Sequence, residues 1–286
     1  MAQRSDHFRF EQVADRAWAA NAIDRGAAVG NAFFADLGGR SLVADCGYTP
    51  AAAHDLRAAA EQLAGPVERL VITHAHFDHY AGAQAFADVP IMATERTRAE
   101  IIANGPGRIA SLQAEFEAYL AELEEQDAPD WEREQGRAIA AEIPGLTLTP
   151  PTETFSGELD LGAAQVIDCG TGHSPSDSVV WILADRVLFA ADLIGVRTHP
   201  NLAHGDPQNW LRILDRLDAL EPERVVPGHG PPAGPDAIAT VREYIETLLA
   251  LAAETGDHEL PAAFAGWSFE DGFRQNIEAL RGEAGS

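Results

Sequence analysis

Residues 73–82 read "THAHFDHYAG" and place three histidines and an aspartate within six positions. His74 and His76 are two apart. In extended backbone, residues i and i+2 point to the same side. Both imidazoles can therefore reach one cation at the end of the apolar run "LVIT" (70–73). Asp78 and His79 follow where the pattern turns into a short helix, and their side chains can aim at a second cation nearby. Imidazole with carboxylate suits zinc first, with iron or manganese as alternatives. Four groups from one loop cannot complete two metal shells, so further donors must come from elsewhere.

Three later segments offer them. His173 lies in "CGTGHSPSDS" (169–178), Asp192 in "VLFAADLIG" (187–195) and His229 in "VVPGHGPP" (225–232). Each follows or ends an apolar, strand-like run. Glycines flank both histidines, which permits tight turns and close approach of backbone to a cation. Cys46 and Cys169 lack CxxC spacing and end the runs "SLVADCG" and "AQVIDCG". They read as buried free thiols and not as metal ligands.

The chain has 286 residues, enough for one large domain with a sizeable core. All 20 basic residues are arginines against 45 acidic ones, a formal net charge of −25. Such a surface repels phosphate backbones and anionic membranes. That argues against nucleic acid or membrane partners. No apolar run approaches a membrane span. The N-terminal stretch "MAQRSDHFRFEQVADRAW" lacks the apolar core of a secretory signal. A cytoplasmic location is the default expectation.

Along the chain, "FFADLGGRSLVADCG" predicts a hairpin turning at Gly38-Gly39. "TPAAAHDLRAAAEQLAG" predicts a helix opened by Thr49 and Pro50 and closed by Gly65. "VERLVIT" predicts a buried strand, "YAGAQAFA" a short helix, "VPIMAT" a strand and "ERTRAEIIAN" a helix. Residues 108–142 carry Ile109, Leu112, Phe116, Leu120 and Leu123 at helical spacing on an acidic segment, with Pro129 before a second helical stretch. This predicts a helical hairpin packed on the domain, with a lid or a homodimer contact as alternatives. Strands return after residue 146, and helices follow from Pro235. Trp267, Phe269 and Phe273 are expected to anchor the last helix. Strands and helices recurring in two similar halves suit an α+β arrangement of four layers, two sheets inside and helices outside. The expected organisation is one domain over 1–286, with a helical insertion at 100–145 and a C-terminal helical extension at 257–286.

These four motifs, in this order and spacing, resemble the metallo-β-lactamase superfamily, over residues ~20 to ~245 in outline. The resemblance implies a four-layer αββα sandwich with its site at one edge of the two sheets. It implies that His74, His76 and His173 hold one metal. Asp78, His79 and His229 hold the other, and Asp192 bridges both together with a hydroxide. Asp45 in "LVADCG" occupies a place where the family usually has Asp, and is assigned to orienting a ligand histidine or to capping its loop.

The implied activity is that of a dinuclear metal-dependent hydrolase with two zinc ions, Asp78 and Asp192 being the catalytic carboxylates. A bridging aspartate is typical of the glyoxalase-II-like and lactonase-like branches, so the expected substrate is a small ester, thioester or lactone. The alternatives are a phosphodiesterase, a β-lactam hydrolase or a non-heme iron oxidoreductase of the persulfide dioxygenase kind. A metal-holding interaction module is a non-enzymatic rival. Phe77 and Tyr80, beside the first motif, and Arg197, His199 and His204, in the loop after Asp192, are candidate pocket residues.

Overall fold

The computed structural model describes residues 5–282, so both extreme ends of the N-terminal stretch and of the C-terminal extension lie outside the described residues. Among the described residues, twelve strands form two sheets. The first runs β1(Phe8–Ala14), β2(Ala17–Ala22), β3(Ala32–Asp36), β4(Ser41–Ala44), β5(Val67–Val71), β6(Ile91–Thr94) and β7(Glu153–Phe155), in that spatial order. The second is ordered β12(Arg224–His229), β11(Val187–Gly195), β10(Asp177–Ile182), β9(Ala164–Gly170) and β8(Glu158–Asp160).

The layering follows from which face each strand residue takes. Ala17, Ala19, Phe33, Leu42 and Val71 of the first sheet pack against Val166, Val180, Val187, Phe189 and Val226 of the second. The alternate residues of the first sheet, among them Phe34, Val43 and Leu70, pack outward against helices. Those of the second sheet, among them Val179, Leu188 and Val225, do the same. Three apolar layers thus separate helix, sheet, sheet and helix. With both faces covered, alternation gives way to near-continuous apolar strands. This is why "DSVVWI" and "VLFAA" read as buried runs.

The expected hairpin forms. β3 and β4 pair antiparallel, and the Asp36 carboxylate accepts hydrogen bonds from Gly38 N and Gly39 N in the turn. α1(Pro50–Ala64) is capped by Thr49, whose side chain accepts the Ala52 N–H, and it stops at Gly65 in positive φ. Its buried face, Ala52, Leu56, Ala59 and Ala60, keeps helical spacing. α2(Phe77–Tyr80) and a 3₁₀ turn over Ala81–Phe86 replace the single short helix expected there.

Two regions run against local preference. β2 reads "AWAANA", whose four alanines favour a helix by propensity. Pairing with β3 and burial on both faces override it. The helix expected over "ERTRAEIIAN" and the one expected from residue 108 are a single helix. α3(Glu95–Glu125) runs unbroken through Gly105, Pro106 and Gly107. Proline removes one backbone donor there, but Gly105 lies so close to Leu148 that a Cβ would sit 2.7 Å from its Cδ1. Packing holds the helix where local preference would end it. α4(Asp130–Glu142) folds back on α3 and touches the body through Gln135 Nε2 on Gly26 O (3.1 Å) and Glu142 Oε2 on Ala51 N (3.1 Å). α5(Pro207–Asp218), α6(Asp236–Ala252) and α7(Gly272–Arg281) cover the second sheet. No helix among the described residues is long and apolar enough to cross a membrane.

Candidate metal centre

The site lies where strand ends of the two sheets meet. β5 ends at Val71 and delivers His74, His76, Asp78 and His79; β12 ends at His229; the turn between β9 and β10 carries His173; β11 carries Asp192. Asn31 N donates to Gly228 O (2.8 Å) and Ser178 N to Thr73 O (3.0 Å), so the two sheets are stitched together at this edge. Ala191 adopts φ 46°, a left-handed conformation in mid-strand. The kink interrupts the β11–β12 register beside Asp192. Strain of this kind, about 1–3 kcal/mol, persists where surrounding structure over-determines it.

All seven residues converge. Ligand atoms of His74, His76, His173 and Asp192 lie within 4.8 Å of one another, and so do those of Asp78, His79 and His229. Asp192 is central. Its Oδ2 is 3.2 Å from His173 Nε2, 3.6 Å from His74 Nε2 and 3.6 Å from His229 Nε2; its Oδ1 is 3.1 Å from His79 Nε2. Asp78 Oδ2 stands 3.3 Å from His229 Nε2 and 3.5 Å from His79 Nε2. His173 Nε2 faces His76 Nδ1 at 2.8 Å. Gly228 makes this packing feasible, since a Cβ there would lie 1.9 Å from Asp192 Oδ1.

The donor set fits cations. His74 Nε2, His79 Nε2 and Asp192 Oδ1 are buried, close together and without a hydrogen-bond partner. Each unpaired buried polar atom costs about 1–3 kcal/mol, and three in one place call for an occupant. Five imidazoles and two carboxylates without a thiolate match zinc, iron or manganese.

Buried carboxylates template the ligand loops. Asp45 Oδ2 is 2.9 Å from His79 Nδ1 and accepts the Thr73 hydroxyl (2.8 Å), while Oδ1 accepts Thr73 N (2.8 Å). Thr73 Oγ1 in turn meets His74 Nδ1 at 3.0 Å. Asp45 is wholly buried in left-handed backbone, φ 58°, and it both orients histidines and braces their loop. Asp177 does the same for the His173 loop, accepting from Gly172 N (2.9 Å), Ser174 N (3.0 Å) and Ser174 Oγ (2.7 Å). Asn31 clamps the His229 loop through Pro227 O (2.9 Å) and Gly230 O (2.7 Å). Sequence reading singled out Asp45 but passed over Asp177 and Asn31. The Ser/Asp-rich run after His173 was a signal for the first; nothing local marked the second, because its partners lie almost 200 residues away.

The electrostatics divide the cluster. Burial and the neighbouring imidazoles of His173 and His74 push His76 down to about 2. Burial opposes the charged form of His229, yet Asp192 and Asp78 outweigh it and lift it to about 10. His79 is raised as well: burial opposes, and Asp192, Asp78 and Asp45 prevail. Asp78 and Asp192 are held well below the usual carboxylate range; burial opposes this, but His79 and His229 dominate.

The pocket candidates separate. His204 is exposed and its Nδ1 meets His76 Nε2 at 3.1 Å, on the rim of the cluster. Arg197 is exposed, with φ 57°. Phe77 and Tyr80 are core residues instead, 8% and 4% exposed, because Phe77 wedges edge-on between Tyr48 and Tyr80. His199 is likewise buried: its Nδ1 meets the Tyr244 hydroxyl at 3.0 Å and its ring packs on Trp267. The aromatic cluster beneath the C-terminal helices captures it, so it is not offered to a ligand. Trp267 and Phe273 are buried as expected of anchors, but Phe269 is 57% exposed and its ring meets His229 edge-on, centroids 5.6 Å apart. Cys46 and Cys169 are free and buried, as read.

An αββα sandwich with a histidine–aspartate cluster at the edge of both sheets defines a class of metal-binding folds. The family model described as the metallo-beta-lactamase superfamily matches residues 25–229, and the chain belongs to that superfamily. Solved structures with the same fold include the metallo-beta-lactamase of Hirschia baltica (TM-score 0.62, 19% identity, 84% of this chain and 98% of that one). The metallo-beta-lactamase of Erythrobacter litoralis is similar (TM-score 0.62, 19% identity, 85% and 98%). Among curated proteins, a linear primary-alkylsulfatase of Pseudomonas sp. is 28% identical over 204 residues. That stretch is 64% of this chain, which spans only 37% of the relative's length.

Proposed function

We propose that the chain is a dinuclear metal-dependent hydrolase of a small-molecule carboxylic ester, thioester or lactone. The observation that carries the reading is the convergence of seven donors, three of them with buried unpartnered atoms, around Asp192. His74, His76 and His173 would hold one cation, Asp78, His79 and His229 the other, with Asp192 between them. Two zinc ions there would supply a Lewis acid and draw a nucleophile from water at neutral pH.

The chain's own residues do the rest. The Asp45 carboxylate accepts the Nδ1 proton of His79 and leaves its Nε2 to face the centre. Asp78 is ionised and partly exposed, the right state to accept a proton from the incoming nucleophile. Asp192 is placed to hold His79 and His173 in register. No serine or cysteine nucleophile is required; both thiols are buried and raised by burial, Cys169 to about 12.

A second reading, hydrolysis of a sulfate ester, is favoured by the alkylsulfatase relative. It uses the same donors and differs only in the electrophile. The test is a zinc-loaded activity panel of carboxylic esters, thioesters, lactones, alkyl sulfates, phosphodiesters and nitrocefin. Turnover is expected on a carboxyl-derived class, lost on full chelation and regained with zinc. Turnover surviving complete chelation, or confined to alkyl sulfates, overturns the first reading.

A further inference from the structure

Phe269 is the most exposed large apolar side chain among the described residues, at 57%. It is also one of the few non-glycine residues in left-handed backbone, φ 59°. An aromatic side chain in that region is a genuine outlier. Exposure of the ring and strain of the backbone are both unfavourable, and Trp267 and Phe273 on either side avoid the first by burying themselves.

The strain is enforced. Ser268 N donates to Arg197 O (2.9 Å), His199 N donates to Ser268 O (3.1 Å), and the hydroxyls of Thr198 and Ser268 meet at 3.0 Å. Gly272 N donates to Phe269 O (2.7 Å), and Gly272 packs so tightly that a Cβ would lie 2.8 Å from His199 Cβ. The loop holding this strap is itself tied to the centre through Val196 N on His229 O (3.0 Å). The strap therefore presents one free aromatic face beside His229. It lies beyond residues 25–229, outside the part of the chain that the family model matches.

We infer that Phe269 is a specificity-determining residue, seating an alkyl or aryl group of the substrate against its exposed face while the scissile bond lies at the seven-residue cluster. This rests on the hydrolase reading and deepens it: the preferred substrate is an amphiphile, with an apolar chain next to the cleaved bond. Burying most of one phenyl face against an aliphatic chain is worth roughly a tenfold change in affinity.

The test compares the zinc-loaded protein with Phe269→Ala and Phe269→Leu. Two ester series are followed by pH-stat, one lengthening the acyl group (ethyl acetate, butyrate, octanoate) and one the alcohol (ethyl, butyl, octyl acetate). The unaltered chain is expected to gain kcat/KM with length in one series. Phe269→Ala should lose about tenfold on the octyl member, chiefly in KM, and about twofold on the shortest. Phe269→Leu should recover most of the loss. In parallel, calorimetry measures binding of octanoate and acetate, without turnover. Octanoate should bind more tightly, and Phe269→Ala should erase most of that preference. If no ester is hydrolysed but this pattern in binding holds, the inference stands and the hydrolase reading falls. If the variants, folded by thermal melting, keep the chain-length preference in hydrolysis or in binding, the inference is overturned.

Discussion

His76 and His229 both belong to the cluster around Asp192, yet their surroundings push them in opposite directions. His76 sits among imidazoles, with His173 at 2.8 Å and His74 beside it, and burial first and these rings second drive it down to about 2. His229 faces two carboxylates, Asp78 at 3.3 Å and Asp192 at 3.6 Å, and it is lifted to about 10. The first group is made of imidazoles, and burial keeps the His76 ring among them neutral. The second holds its own counter-charges, protonated imidazoles against carboxylates, until a cation displaces the protons. Under the dinuclear reading proposed above, the Asp78–His79–His229 group carries a proton cost at its raised histidines. The expected outcome under that proposal is that, at neutral pH, the His74–His76–His173 pocket fills before the Asp78–His79–His229 pocket, a sequence that calorimetric zinc titration reads.

Removing the residue the pockets share should erase the distinction. Asp192→Ala is expected to cut kcat/KM by about 10³-fold, the scale of losing a main electrostatic element. It should weaken both metal-binding steps seen by calorimetry. Loss of only one step would mean that Asp192 serves a single pocket.

A smaller effect separates the pockets. Asp45→Ala strips the partner from His79 Nδ1 and from Thr73, which meets His74, so affinity should fall about 10–100-fold at the second pocket and by less at the first. Stability should fall by about 1–3 kcal/mol from the unpaired buried groups. Asp177→Ala is the mirror experiment and should weaken the first pocket instead. Equal losses at both pockets in Asp177→Ala, or a larger loss at the first pocket than at the second in Asp45→Ala, would break the assignment of these two carboxylates.

The mildest test is pH. A raised histidine contributes stability that is fully present below its ordinary value, near 6.5, and is lost as pH rises through its folded value. The metal-free protein should therefore melt at progressively lower temperature as pH rises from about 6.5 to 10, following His229. The zinc-loaded protein should not show this fall, since the cation has already displaced the protons. Affinity of the second metal step should rise about tenfold per pH unit for each proton released, in that same window. A pH-independent second step, or one no steeper than the first, would show that the two pockets share one protonation state.

The metal donors were legible because chemistry marks them locally. His74, His76, Asp78 and His79 share one loop, and His173, Asp192 and His229 each end or interrupt an apolar run. Helix caps and the Gly38-Gly39 turn were legible for the same reason, as effects acting over a few residues. The signal failed where distant packing outweighs local preference. Alanine-rich β2 became a strand by pairing with β3, and α3 ran through Pro106 because Leu148 packs on Gly105.

Residue types and spacing alone determined which side chains can bind cations and that the strands bury both faces. Only the tertiary structure decided that Phe77, Tyr80 and His199 belong to the core, that Phe269 stands exposed beside His229, and that Asn31 and Asp177 brace ligand loops. The reason is physical. A donor's affinity for a cation is a property of the residue. Exposure, strain and the balance between imidazole and carboxylate around one proton belong to the neighbours, and folding brings those neighbours from far along the chain.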